Sequence, residues 1–304
     1  MIALPQHLRM PDIIALRNGR FHLGLAPAQG GSVAYFAEQR PEGLRHWFRP
    51  ASAAALASGN GHHSACFPLV PVSGRIAEAM LNWDGSLIAV PRNARPEPHH
   101  LHGEGWQRPW EIVETGPNRA TLALSHARDW PFPYAASFTY LLERDGLKVV
   151  MTMTNRGDAA MPAAIGLHPW FPAPLAELTA AAGTLWEIDS RKLFTGKIAP
   201  SPQRQFAGGR SLKGADLEHG FTDWDRKAVL HWPGRPGRLV MTASETLAHL
   251  VVYSRDPSED FCVEPVSCSV DAFNLHASGV ADTGTVRLEP GETLSGTAWF
   301  QIEG

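Results

Sequence analysis

Four short segments of the chain set ionisable side chains among apolar or aromatic neighbours. Arg75 ends the stretch Cys66-Phe67-Pro68-Leu69-Val70-Pro71-Val72-Ser73-Gly74-Arg75-Ile76, and Pro98-His99-His100-Leu101-His102-Gly103-Glu104-Gly105-Trp106 carries three histidines. His168 sits in Gly166-Leu167-His168-Pro169-Trp170-Phe171, and Glu264 in Phe261-Cys262-Val263-Glu264-Pro265-Val266. A carboxylate with an ordinary pKa of about 4.3 can take a proton at neutral pH, and an imidazole at about 6.5 can give one. Each residue also has a plainer reading. Glu264, inside a strand-like run, must face water or be buried with a partner. His168 reads either as a hydrogen-bonded core residue or as a proton donor. Arg75 reads either as a site residue or as half of a surface ion pair, the commoner fate of an isolated Arg.

His100 and His102 have the HxH spacing that some metal-dependent β-barrel enzymes use with a carboxylate. Glu104 follows His102 by only two residues on a Gly-flanked loop, and no downstream histidine has matching context, so no metal site is expected. Seven further histidines (His62, His63, His126, His219, His231, His249 and His276) lack company that would raise them above surface or packing roles.

Other chemistries lose their usual support. There is no GxxxxGK[ST], no GxSxG and no HExxH, and Gly59-Asn60-Gly61 has Ser64 where a dinucleotide fingerprint needs a third glycine. With 27 Lys+Arg against 30 Asp+Glu, the balance argues against a nucleic-acid or membrane-surface partner. The three cysteines, Cys66, Cys262 and Cys268, are odd in number and lack CxxC spacing, which fits a reducing compartment. No apolar stretch approaches a membrane span, and the N-terminus lacks a signal-peptide pattern. The expectation is a soluble, cytoplasmic protein.

The elements that must carry these residues are short. The 28 glycines and 25 prolines of the 304-residue chain leave few windows for helices. In Ser137–Glu143 the side chains of Phe138, Tyr140 and Leu142 share one face; Asp145-Gly146 supplies a turn, and Leu147, Val149, Met151 and Met153 return on one side. Similar runs at Phe21–Leu25, Ala120–Ser125, Leu239–Thr242, His249–Tyr253, Phe261–Pro265, Val286–Leu288 and Ala298–Ile302 predict a large all-β sandwich or barrel. Helices are predicted only at Ala51–Ser58 and Pro174–Ala182. No linker or repeat divides the chain, so residues 1–304 read as one domain.

Taken in order, the four segments resemble the aldose 1-epimerase (galactose mutarotase) family. The likeness lies in Ser73-Gly74-Arg75-Ile76, Leu101-His102-Gly103, Gly166-Leu167-His168-Pro169-Trp170-Phe171, and Val263-Glu264-Pro265 followed by Asp271-Ala272-Phe273-Asn274. Gly30-Gly31-Ser32-Val33, Phe221-Thr222-Asp223-Trp224-Asp225 and Leu288-Glu289-Pro290-Gly291-Glu292 agree as well. The resemblance implies a galactose mutarotase-like antiparallel β-sandwich that interconverts the α and β anomers of a free aldose. It implies that Glu264 is the general base, His168 the general acid, and His102 a second histidine near the ring oxygen. Arg75 would bind sugar. The family often has an Asp three residues before the Phe of its Phe-Thr-x-Trp segment; here that place holds Glu218, in Leu217-Glu218-His219-Gly220-Phe221. Trp106, Trp110, Trp170 and Phe171 are candidate apolar walls for a pyranose ring.

Anomer exchange needs O1 to lose a proton while the ring oxygen gains one, so no cofactor is required. The expected partner is a monosaccharide, with no nucleic acid or membrane, and the expected assembly is a monomer or homodimer. Two other readings stand beside this one. A hexose 6-phosphate epimerase would add a cationic cluster, for which Arg75, Arg92, Arg95 and Arg108 are the candidates. A non-catalytic carbohydrate-binding protein would keep the cleft without needing a matched acid and base.

Overall fold

The computed structural model describes residues 13–304 except 60, 126–128, 174, 214 and 256–259. Eighteen of its strands join one hydrogen-bonded network, and every ladder between named strands is antiparallel. One layer runs Glu111–Thr115, Arg119–Leu124, Tyr134–Leu142, Gly146–Asn155, Thr293–Glu303 and Arg238–Ala243. The other runs His249–Ser254, Asp260–Val266, Gly166–Pro172, Cys66–Leu69, Ser32–Arg40, Phe21–Ala26 and Ile14–Asn18. The long strand Leu217–His231 joins them. Residues 227–231 pair with the first layer and residues 217–221 with the second, while Glu177–Ile188 pairs along both parts.

Period-two patterning builds the layers. Tyr134–Leu142 alternates strictly between buried and half-buried residues, and Phe138, Tyr140 and Leu142 stand opposite Met151, Val149 and Leu147. The predicted hairpin is therefore present with its predicted inward face. Aromatic rings fill the space between the layers. Phe48 meets Phe300 of one layer at 4.9 Å, and Phe171 and Phe36 of the other at 5.4 and 5.3 Å. The Tyr140 hydroxyl crosses the same gap to donate to the Gly31 carbonyl at 2.9 Å.

The seven predicted strand runs all fall on strands; six differ from them by no more than one residue at either end, and Ala298–Ile302 lies within the longer strand Thr293–Glu303. The Ala51–Ser58 helix is present as Ala53–Ala57, its N-terminus capped by the Ser52 hydroxyl accepting from the Ala55 amide. The other predicted helix is not there. Pro174 lies outside the described residues, and the rest of Pro174–Ala182 leads into the strand Glu177–Ile188. Leu178 and Ala180 point inward while Thr179 and Ala181 are exposed, and pairing with Leu217–His231 overrides the helix preference of an Ala run. The strands Cys66–Leu69 and Gly166–Pro172 were not predicted, because Pro68, Pro169 and Pro172 argue against central strands. The structure accommodates Pro169 by dividing the ladder. Gly166 to Pro169 pair with Cys66–Leu69, while the ladder to Asp260–Val266 is held at Gly166, opposite Val266, and at Trp170 to Pro172, and is interrupted between them. Among the described residues no helix is long and apolar enough to cross a membrane.

Gly166–Pro172 and Asp260–Val266 are buried on both faces, and the alternation sorts their side chains. Leu167, Phe171, Phe261 and Val263 face the core between the layers, while Trp170, Cys262 and Val266 join Phe67, Leu69 and Trp106 on the opposite face. His168 and Glu264 share that second face by the same parity. The loop above it is held by Gly103, whose φ of +69° suits glycine and whose missing Cβ leaves room for the Val70 carbonyl and the Pro71 ring. A Gly103→Ala variant should lose about 2 kcal/mol or more, seen as a melting point lower by roughly 4 °C or more. An unchanged melting point would contradict this account of the loop.

Candidate active site

The second face opens into a cavity of about 240 Å³, whose lining includes Arg75, His102, His168, Trp170, Glu218 and Glu264. All six sequence-predicted site residues therefore meet in one place. At its floor His168 Nε2 lies 3.3 Å from Glu264 Oε1, with the two residues only 6 % and 3 % exposed. The His168 ring stacks on Phe67 at 4.3 Å and 22°, and Trp170 lies 5.2 Å away. His102 stands edge-on to His168 at 5.3 Å. These neighbours leave the imidazole little freedom to turn.

His102 is held through its backbone as well as its ring. Its amide donates to the Gly74 carbonyl at 2.7 Å, and its Nδ1 accepts from the Gly74 amide at 3.1 Å. With Nδ1 an acceptor, the neutral ring carries its proton on Nε2. Asn93 clamps the same loop: its Nδ2 donates to the Leu101 and Gly103 carbonyls at 2.8 and 2.7 Å, and its Oδ1 accepts from the Leu101 amide. Arg75 reaches the cavity from a short ladder in which it pairs with Leu101. Its Nε donates to Glu97 at 3.2 Å and its Nη2 to Glu218 at 3.1 Å. Glu218 in turn meets Lys192 Nζ at 2.9 Å and Arg255 Nη2 at 3.4 Å.

Burial sets the protonation of the floor. It pushes the Glu264 carboxyl well above its usual value, helped by the negative charge of Glu218 and opposed by Arg75. Burial also holds His168 well below its usual value, with His62 adding repulsion. His102 is lowered by burial and then by His168. Burial thus favours the neutral form of each partner, carboxylic acid and imidazole, and an internal proton shift across the contact converts that pair into carboxylate and imidazolium. Glu218 behaves differently. Burial works to raise its carboxyl, but the Lys192 hydrogen bond and the charges of Arg75 and Lys192 outweigh it and keep the group ionised.

Several expectations change here. Trp106 lies beneath the His102 loop with its Nε1 on the Leu101 and Gly103 carbonyls, Trp110 packs on Phe138, and Phe171 faces the inner core. Of the four candidate walls only Trp170 borders the cavity, joined there by Tyr253, whose ring centroid lies 5.8 Å from that of Trp170. His62 and His219, read from sequence as surface or packing residues, also line the cavity, as do Lys192 and Arg255. Of the four candidate phosphate-binding arginines only Arg75 lines it. Arg92 pairs with Glu78, and Arg108 with Glu104 and Asp129.

The three clustered histidines also part company. The His99 Nδ1 accepts from the Glu78 amide, the His100 Nδ1 meets the Pro91 carbonyl, and only His102 enters the cavity. A different trio of donor atoms does converge: those of His168, Cys262 and Glu264 all lie within 4.8 Å of one another. Burial holds the Cys262 thiol well above its usual pKa, helped by the negative charge of Glu264.

Residues 12–301 match the family model described as aldose 1-epimerase. The Escherichia coli K12 protein YphB is 26 % identical over 301 residues, covering 96 % of this chain and 99 % of that protein. A crystal structure of a candidate aldose 1-epimerase from Escherichia coli K12 superposes with a TM-score of 0.86 at 25 % identity, over 96 % of this chain and 99 % of the other. A galactose mutarotase-like protein from Clostridium acetobutylicum superposes with a TM-score of 0.85 at 18 % identity, over 96 % and 95 % of the two chains.

The buried carboxyl has a consequence for stability. A folded-state pKa raised above the unfolded one makes Glu264 progressively less favourable as pH rises from the ordinary carboxylate value of 4.5 towards the folded value. Glutamine keeps the shape without the charge. The melting point of Glu264→Gln minus that of wild type should therefore increase steadily with pH in thermal unfolding. A difference that stays flat or shrinks would show that the carboxyl is not desolvated.

Proposed function

Since the chain belongs to the aldose 1-epimerase family, we propose that it is an isomerase that interconverts the α and β anomers of an aldose, with Glu264 and His168 moving the protons. The observation that carries this reading is the 3.3 Å contact between a buried carboxyl and a buried imidazole on the floor of a sugar-sized cavity. Binding alone needs no such pair, because a desolvated carboxyl costs stability without adding a donor or acceptor that a neutral amide lacks.

The reaction begins with Glu264 as carboxylate and His168 as imidazolium. Glu264 takes the proton from the O1 hydroxyl, and the electron pair of that O–H bond becomes the second bond of C1=O1. The C1–O5 bond breaks, its electrons pass to O5, and His168 delivers its proton there. The open-chain aldehyde turns about C1–C2, and reclosure on the other face runs the same transfers backwards. Each half-reaction exchanges one proton for one, so the pair ends in its starting charge state. His102, with its proton on Nε2, supplies a further donor to a substrate oxygen. Arg75 donates to hydroxyls, and Trp170 and Tyr253 offer apolar faces to the ring.

Removing the base should lower kcat by about 10²–10⁴-fold in Glu264→Gln, and removing the acid should do the same in His168→Asn. Polarimetry of freshly dissolved α-glucose or α-galactose reads both. Variants as active as wild type would remove the proposed roles. Saturable sugar binding by wild type without any acceleration would instead indicate a carbohydrate-binding protein.

The pH profile carries its own signature. Activity requires one proton on the pair, so it should fall when a second proton is added and when the last is lost. The acid limb should lie below the usual histidine value, following His168. The alkaline limb should lie above the usual carboxylate value, following Glu264. An acid limb at or above the ordinary histidine value would contradict the assignment.

A further inference from the structure

Lys192, Arg255 and Arg75 converge on one carboxylate at the cavity wall, and Glu218 does not exhaust them. Glu218 Oε1 takes Arg75 Nη2, while Oε2 takes Lys192 Nζ and Arg255 Nη2. Glu97 takes Arg75 Nε. Among the described residues, three permanent cations thus face two carboxylates, and a third carboxyl nearby, Glu264, is pushed towards its neutral form by burial. Among the described residues the Arg75 Nη1 group, two of the Lys192 ammonium protons and most of the Arg255 guanidinium donors have no hydrogen-bond acceptor.

The excess is one of charge and of donors together. Lys192 is presented by a tight turn in which Asp189 Oδ1 accepts from the Arg191 and Leu193 amides, and Lys192 itself takes a φ of +68°. Arg255 lies over the Tyr253 ring at 5.5 Å, so its side chain is directed along the cavity wall. Lys192 and Arg255 remain 33 % and 55 % exposed, which places them towards the mouth, away from the buried floor where Glu264 and His168 would act. A neutral hydroxyl would satisfy one such donor. A carboxylate or phosphate satisfies several and neutralises the surplus charge.

Resting on the epimerase reading above, we infer that the site is built for an aldose bearing an anionic group, held by Lys192, Arg255 and Arg75 while its reducing end lies on Glu264 and His168. The anion shares these cations with Glu218, or displaces Glu218 from Lys192 and Arg255. Glu218 then works as an internal counter-ion that keeps the cluster ordered when no substrate is bound, rather than as the principal acceptor for sugar hydroxyls. The signal differs from the arginine cluster expected from sequence, since Arg92 and Arg108 are engaged elsewhere and two residues from other segments take their place.

The test measures anomer exchange at equilibrium by NMR for glucose, glucuronate and glucose 6-phosphate, with the full-length protein. At least one anionic sugar should show kcat/KM tenfold or more above glucose, and its KM should rise with added KCl while that for glucose stays level. Lys192→Met and Arg255→Met, towards the mouth of the cavity, should each reduce the anionic-to-neutral ratio several-fold, and together at least tenfold. A preference for glucuronate identifies a carboxylate, and one for glucose 6-phosphate a phosphate. Glucose turned over as well as or better than both anions, with a ratio unmoved by the double variant, would overturn the inference while leaving the epimerase reading intact. Failure to accelerate any of the three sugars would defeat the epimerase reading and this inference with it.

Discussion

The contact between Glu264 and His168 is the constraint around which the rest is arranged. Taking an ionisable carboxyl out of water is costly, and here burial favours its protonated form while an imidazole stands 3.3 Å away, within reach of that proton. The same desolvation that makes the residue a burden to the fold makes it reactive. An exposed glutamate is a weak base at neutral pH, whereas a buried one whose partner can absorb the proton is matched to its task.

Two antiparallel strands supply the geometry. His168 and Glu264 stand across from each other because Gly166 pairs with Val266 and Trp170 with Cys262, so the residues midway between must oppose. Neighbouring side chains then settle the ring: Phe67 beneath, Trp170 beside and His102 edge-on. The core between the layers, with Phe48 wedged between Phe300 and Phe171, fixes the strands from behind. Precision at the floor therefore comes from the sheet, while the wall carrying Lys192 and Arg255 is made of turn and strand-end residues.

Much of this was legible in the chain. The hairpin around Phe138 and Met151 shows its alternation openly, and the lone Glu264 in an apolar run had to be buried with a partner or exposed. The order of the motifs pointed to His168, His102 and Arg75 as its companions. What stayed hidden has physical causes. Pro68 and Pro169 disguise two central strands, because the divided ladder that tolerates them is a tertiary arrangement. The Ala run near residue 180 reads as helix until the long partner strand is known. His62, Lys192 and Arg255 carry no local pattern at all; only folding brings them to the cavity, and a lysine in a turn looks the same whether it meets solvent or Glu218.

The claim that Glu264 and His168 share a single proton can be read directly. In protein labelled with ¹³C at glutamate side chains, the Glu264 carboxyl resonance, identified by its absence in Glu264→Gln, is followed across pH. The account predicts that it keeps the shift of a protonated or proton-sharing carboxyl well beyond the pH at which the exposed glutamates have ionised, and that it moves when His168 is replaced by Asn. A resonance that titrates together with the exposed glutamates, indifferent to His168, would contradict it.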